Sequence, residues 1–120
     1  MMDLDMAKEV IMLILENMKS ERERKQLMEQ YDRVRFKETD HRPGNFYWEL
    51  SVDNENGETL PFTAGVQSVF FWEQTQNIPI DCIIHFGNGY MDGLEVYSAD
   101  GTIFESLCLD NIKIVEVATS

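Results

Sequence analysis

In the first part of the chain, apolar residues recur every three or four positions. Leu4, Ala7, Ile11, Ile14 and Met18 form a stripe, and Val10 and Leu15 widen it. This spacing predicts an amphipathic helix over residues 4–19, because a 3.6-residue turn brings those positions to one side. Asp3 or Asp5 supplies the N-cap, and the early acids suit the positive end of the helix dipole. The stripe breaks across residues 19–25. Ser20 followed by Glu23 has the form of a capping box, which predicts a second helical stretch through about Tyr31, with Leu27, Met28 and Tyr31 on its apolar side. No Gly or Pro separates the two parts, so one long bent helix fits the pattern nearly as well.

From Arg33 the period changes to two. Val34 and Phe36 alternate with Arg35 and Lys37, as in a strand with one wet face. Pro43 and Gly44 mark a turn over residues 41–45, and residues 45–52 read as the next strand. A polar turn follows at 53–58, then a looser stretch containing Pro61 and Gly65. Further strands are predicted at 67–72, 78–86, 90–98 and 111–117, with a Gly-Asn-Gly turn at 87–89. Asp100 and Gly101 turn the chain into another extended run at 102–107. Consecutive strands joined by short turns predict an antiparallel meander. The expected fold is therefore α+β, a single domain over 1–120 with an N-terminal helix or helix pair on a sheet of five or six strands. Ile80, Ile84, Leu94, Val96, Ile112 and Ile114 are the expected core beneath Ala7, Ile11, Ile14 and Met18.

Charge changes the picture more than composition does. The apolar fraction of 43% is ordinary for a globular core. A chain of this length can bury roughly two-thirds of its unfolded surface, so it needs neither disulfide nor metal. The net charge of −12 is uneven. Residues 51–120 hold eleven carboxylates and one cation, Lys113, for 1 − 11 = −10; residues 1–50 hold nine cations and eleven carboxylates, for −2. Such a field repels nucleic acid and anionic membrane and attracts cationic partners. The cations cluster only at Arg22, Arg24, Lys25, Arg33, Arg35, Lys37 and Arg42, where they are interleaved with Glu21, Glu23, Glu29 and Glu38. Phosphate binding wants a net positive patch instead. The N-terminus lacks the cations of a signal peptide, and the run from Val10 to Leu15 is far short of a membrane span. A cytoplasmic protein is expected.

No pattern of catalytic residues emerges. Asp53-x-Glu55-x-Gly57 hints at a calcium loop, but its Gly is fifth rather than sixth, and the twelfth position is Ala64. Strand alternation puts Cys82, Ile84 and Phe86 on one face and Asp81, Ile83 and His85 on the other, so Cys82 and His85 cannot act as a nucleophile–base pair. Two Cys and two His at unrelated spacings make no zinc signature. Cys82 and Cys108 are both expected to be buried, unreactive thiols. Alternation also places Glu95 with Met91, Gly93 and Tyr97, and Asp92 with Leu94 and Val96. A carboxylate pair for acid–base work would need Glu95 opposite Glu105 across a hairpin. The reading favours no enzyme, no cofactor and no metal.

Residues 78–101 carry a pattern of their own. A β-branched strand ends in His85, a Gly turn follows, and Leu94-Glu95-Val96-Tyr97 leads to an Asp100-Gly101 turn. This segment resembles small bacterial proteins found beside polymorphic or contact-dependent toxins, and so is similar to their immunity proteins. The resemblance implies an inhibitor that neutralises a toxin by direct binding. Charge gives independent support, since an acidic inhibitor of a basic, nuclease-type toxin gains association rate and specificity from complementarity. The alternatives are a regulatory or structural interaction module, and a small-ligand binder or enzyme using carboxylates. Tyr90, Asp92, Glu95, Tyr97, Asp100, Glu105 and Asp110 are the expected partner-binding residues. They are expected to form one negative surface with the two tyrosines as anchors. Acidity serving solubility alone would instead scatter carboxylates over every face.

Overall fold

Asp3 opens the first helix by accepting the Met6 amide at 2.9 Å. The computed structural model describes residues 2–38, 41–55, 57 and 59–120. Helix α1 (Leu4–Glu16) ends sooner than its stripe suggests. Asn17 caps it with its backbone amide and donates its side-chain amide to the Leu13 carbonyl at 2.8 Å. Ser20 then caps α2 (Glu21–Tyr31) by accepting the Glu23 amide. Two helices therefore replace the single bent one, because side chains satisfy the orphan backbone groups at the break. Ala7, Val10, Ile11, Ile14, Leu15 and Met18 are buried, whereas Leu4 is 40% exposed, so the working stripe begins one turn later than its spacing predicts.

Six strands follow: β1 (Val34–Glu38), β2 (Asn45–Val52), β3 (Val66–Glu73), β4 (Ile78–Gly87), β5 (Tyr90–Ser98) and β6 (Ile112–Thr119). They form one antiparallel sheet in the order β1-β2-β5-β4-β3-β6. The fold is α+β, with the helices against the sheet. It is not the simple meander expected from consecutive strands. Tight turns keep β3, β4 and β5 adjacent, but the longer connections 53–65 and 99–111 each carry the chain past two strands. Residues 102–107 form no strand. Phe104 and Leu107 are buried instead, Phe104 edge-on to Phe46 at 5.3 Å between centroids. In the polar turn at 53–58, Asn56 and Glu58 lie outside the described residues.

Register assigns every strand an inner face. Phe46, Trp48 and Leu50 of β2, Val69 and Phe71 of β3, Ile80, Cys82 and Ile84 of β4, and Leu94 and Val96 of β5 are buried beneath the helices. Each fully buried aliphatic of this kind contributes about 1.5–3 kcal/mol before the entropy of ordering it. Ile112 and Ile114 are only partly buried, because β6 is an edge strand and its inner face is covered on one side. Gln30 is the polar exception. Its side-chain amide donates to the Leu60 and Gly89 carbonyls at 3.0 and 2.9 Å and accepts the Met91 amide at 3.0 Å. It thereby ties α2 to the 53–65 connection and to the β4–β5 turn.

Candidate functional site

Both helices pack on one side of the sheet, and among the described residues no helix or strand covers the other side. Its side chains can be read off the pairing. One row across the sheet runs Tyr47, Glu95, Ile83, Ser68, Ala118, and the next runs Asn45, Tyr97, Asp81, Phe70, Glu116. Glu49, Gly93 and His85 lie above the first row, and Trp72 with Lys113 below the second. Aromatic and apolar groups therefore alternate with carboxylates over the middle of this open face. Trp72 is 38% exposed. The Arg35 and Lys37 cations sit at the β1 edge, within 3.7 Å of Asp53 and 3.9 Å of Glu49 respectively. Both pairs are well exposed, so each is worth little to stability.

Two hydrogen bonds organise the centre. His85 donates through Nε2 to Glu95 at 3.2 Å. The Tyr97 hydroxyl donates to Asp81 at 3.0 Å. Burial raises the Asp81 pKa, and the nearby Glu95 and Glu116 charges add to it, against the lowering effect of the Tyr97 bond. Burial first and the Asp81 carboxylate second also raise the Tyr97 pKa. The ring of Tyr47 lies across Gly93, where any side chain would collide with the phenol. Burial, followed by the charges of Asp92, Glu49 and Glu95, raises the Tyr47 pKa in turn. Arg42 lines a hollow of this face together with Asn45, Tyr47 and Glu95.

The expected binding residues do not share one surface. Glu95 and Tyr97 lie on the open face. Asp92 joins them, lining a shallow hollow with Arg35, Lys37, Glu49 and Ser51. Alternation assigned Asp92 to the face of Leu94 and Val96, and Met91 to that of Glu95; both assignments are wrong. An irregularity in the β4–β5 register, with Phe86 opposite Met91 but His85 opposite Gly93, adds a residue at this point. It turns Met91 into the core and Asp92 out to solvent. Asp100 and Glu105 are exposed on the 99–111 connection, where Asp100 accepts the Thr102 amide at 3.0 Å. Asp110 lies on the helix side, in a groove with Lys8, Leu13, Tyr31 and Leu109. The Tyr90 hydroxyl is engaged internally, accepting from Asn54 at 2.9 Å and donating to the Thr59 carbonyl at 3.3 Å.

The proposed Glu95–Glu105 pair is also undone, since β5 runs between β2 and β4 and puts Tyr47 and Ile83 beside Glu95. Cys82 is buried, and burial holds its thiol pKa well above the ordinary value, but Cys108 is exposed. Its apolar neighbours misled: Leu107 is buried and Leu109 partly so, and in an extended segment the residue between them faces out. Sequence reasoning missed Tyr47, Asp81, Phe70 and Trp72. Their signal was the outward set of each strand, legible once the inward set was assigned. Among the described residues, no three His, Cys, Asp or Glu side chains are grouped to hold a metal ion, and no helix is long and apolar enough to cross a membrane. Comparison with family models, with curated proteins and with solved structures finds no match.

Proposed function

We propose that the protein is a non-enzymatic, acidic binding module that docks a cationic protein through the open face of its sheet. Its functional class is that of a cytoplasmic immunity or inhibitor protein acting on a basic, nuclease-type toxin. One observation carries the reading: an uncovered sheet face whose aromatic and apolar centre (Tyr47, Phe70, Trp72, Ile83, Tyr97) is interleaved with Asp81, Glu95 and Glu116. Tyr and Trp combine large apolar area with a polar tip and dominate binding hot spots. The carboxylates among them repel one another in the free protein, and a basic partner removes that cost while gaining association rate.

The test pairs two charge reversals. Asp92→Lys with Glu95→Lys alters the open face; Asp100→Lys with Glu105→Lys alters the crossing connection by the same net charge. Proteins captured by the immobilised wild type from the native host are measured for association rate with each variant. The open-face reversal is expected to slow association by about tenfold or more, and the connection reversal by less than about threefold. Equal effects would reduce the acids to a general solubility coat. A larger effect from the connection would move the docking surface there.

A further inference from the structure

The sheet has two edges, and they are guarded differently. The β1 edge spans only Val34–Glu38 and carries Arg35 and Lys37, the short and charged form that resists pairing with another chain. The β6 edge is longer, Ile112–Thr119, and carries Ile112, Ile114, Val115 and Val117. Val115 is 54% exposed, at the irregularity in the β6 register. The edge has only two charged residues, Lys113 and Glu116, which cancel. Lys113 is also the lone cation among residues 51–120.

Register adds a geometric fact. Lys113 lies opposite Trp72 and Glu116 opposite Phe70, so both belong to the open face although they are three residues apart. In a regular strand they would point to opposite sides. The irregularity at Val115 restores the match. Ile112 and Val117, opposite Glu73 and Val69, both belong to the helix-covered side for the same reason.

We propose that β6 is a self-association edge, pairing antiparallel with β6 of a second copy about a two-fold axis between Ile114 and Val115. In that register Lys113 meets the second copy's Glu116 and Ile112 meets its Val117, with Ile114 and the extra residue Val115 at the axis. Each contact occurs twice, as a two-fold interface requires. The cross-strand partners on matching faces are an opposite-charge pair and an aliphatic pair, combinations that stabilise antiparallel neighbours. The net charge of −12 opposes bringing two copies together, and β6 is the edge where local charge is zero. The pairing shares Glu116 with the open face described above but leaves the rest of both faces free, and its test needs no second protein.

The experiment is light scattering coupled to gel filtration over a dilution series, on wild type, Lys113→Glu, Glu116→Lys and the double swap. The wild type is expected to move from dimer to monomer on dilution. Either single reversal creates two like-charge pairs per dimer and should raise the dissociation constant about tenfold or more. The double swap restores opposite charges and should return it to within about threefold of wild type. Thermal melts on all four proteins confirm folding, which is expected to be unaffected because both positions are exposed. A wild type that stays monomeric at every concentration overturns the proposal. So does a dimer indifferent to the single reversals, or a double swap no better than either one.

Discussion

Two buried polar side chains, Gln30 and Glu73, hold segments together that no hydrophobic period connects. Gln30 follows Leu27 by one helical step, so its inward position was readable, but its partners at Leu60, Gly89 and Met91 were not, since they lie far away in the chain. Glu73 ends β3 facing inward and is fully buried. It accepts from the backbone and side chain of both Thr75 and Gln76, which shapes the β3–β4 turn. Burial is the largest single influence and pushes the Glu73 pKa up, but the four hydrogen bonds together lower it below the ordinary value. A carboxyl with a depressed folded-state pKa stabilises the fold fully above its unfolded pKa of about 4.3, and that contribution is lost as pH falls through the folded value. Glu73→Gln should therefore destabilise the protein by about 1–2 kcal/mol at neutral pH and by less at acid pH. Urea titrations of both proteins at the two pH values measure this, and an equal deficit at both would show that shape rather than charge holds the turn.

Elements were legible where one period ran long enough. The three/four spacing of Ala7, Ile11, Ile14 and Met18 and the alternation of Ile80, Cys82 and Ile84 each state a buried face, and each is buried. Strand order was not legible, because nothing local says that the 53–65 connection passes two strands before β3 begins. Alternation also fails silently at a bulge, which is why Asp92 and Met91 exchanged faces. The candidate site suffered most. Nearness in sequence groups the acids of residues 90–110, whereas the open face is assembled from β2, β3, β4, β5 and β6. The two cysteines give this lesson an experimental form. Cys82 lies at the centre of β4 with no exposed area and a raised thiol pKa, while Cys108 sits on an irregular exposed segment. An aromatic disulfide reagent in excess should modify one thiol, Cys108, promptly in the native protein, and the second only at the rate of unfolding. Mass spectrometry of the labelled peptides decides it. Prompt labelling of Cys82 would mean that β4 is not the sealed centre of the sheet.

The whole molecule has a radius of gyration of 13.8 Å and a net charge of −12. At an ionic strength of ~0.01 M the Debye length is about 30 Å, so carboxylates on opposite sides of the protein still repel one another. At ~0.1 M it is about 10 Å, and only near neighbours such as Asp81, Glu95 and Glu116 remain coupled. Added salt therefore removes most of the self-repulsion over this one decade, and the unfolded chain gains less because its charges are further apart. The melting temperature should rise by several degrees between those two ionic strengths and then flatten. Association with a cationic partner depends on the same field with the opposite sign. Its rate should fall about tenfold or more over the same decade, because steering acts across the distance that salt screens. Melting curves and stopped-flow association measured in one buffer series test the two halves together. A melting temperature that falls with salt would mean that attractive ion pairs outweigh repulsion. A rise in stability without a fall in association rate would show that the acidic field belongs to the folded protein alone and does not guide its partner.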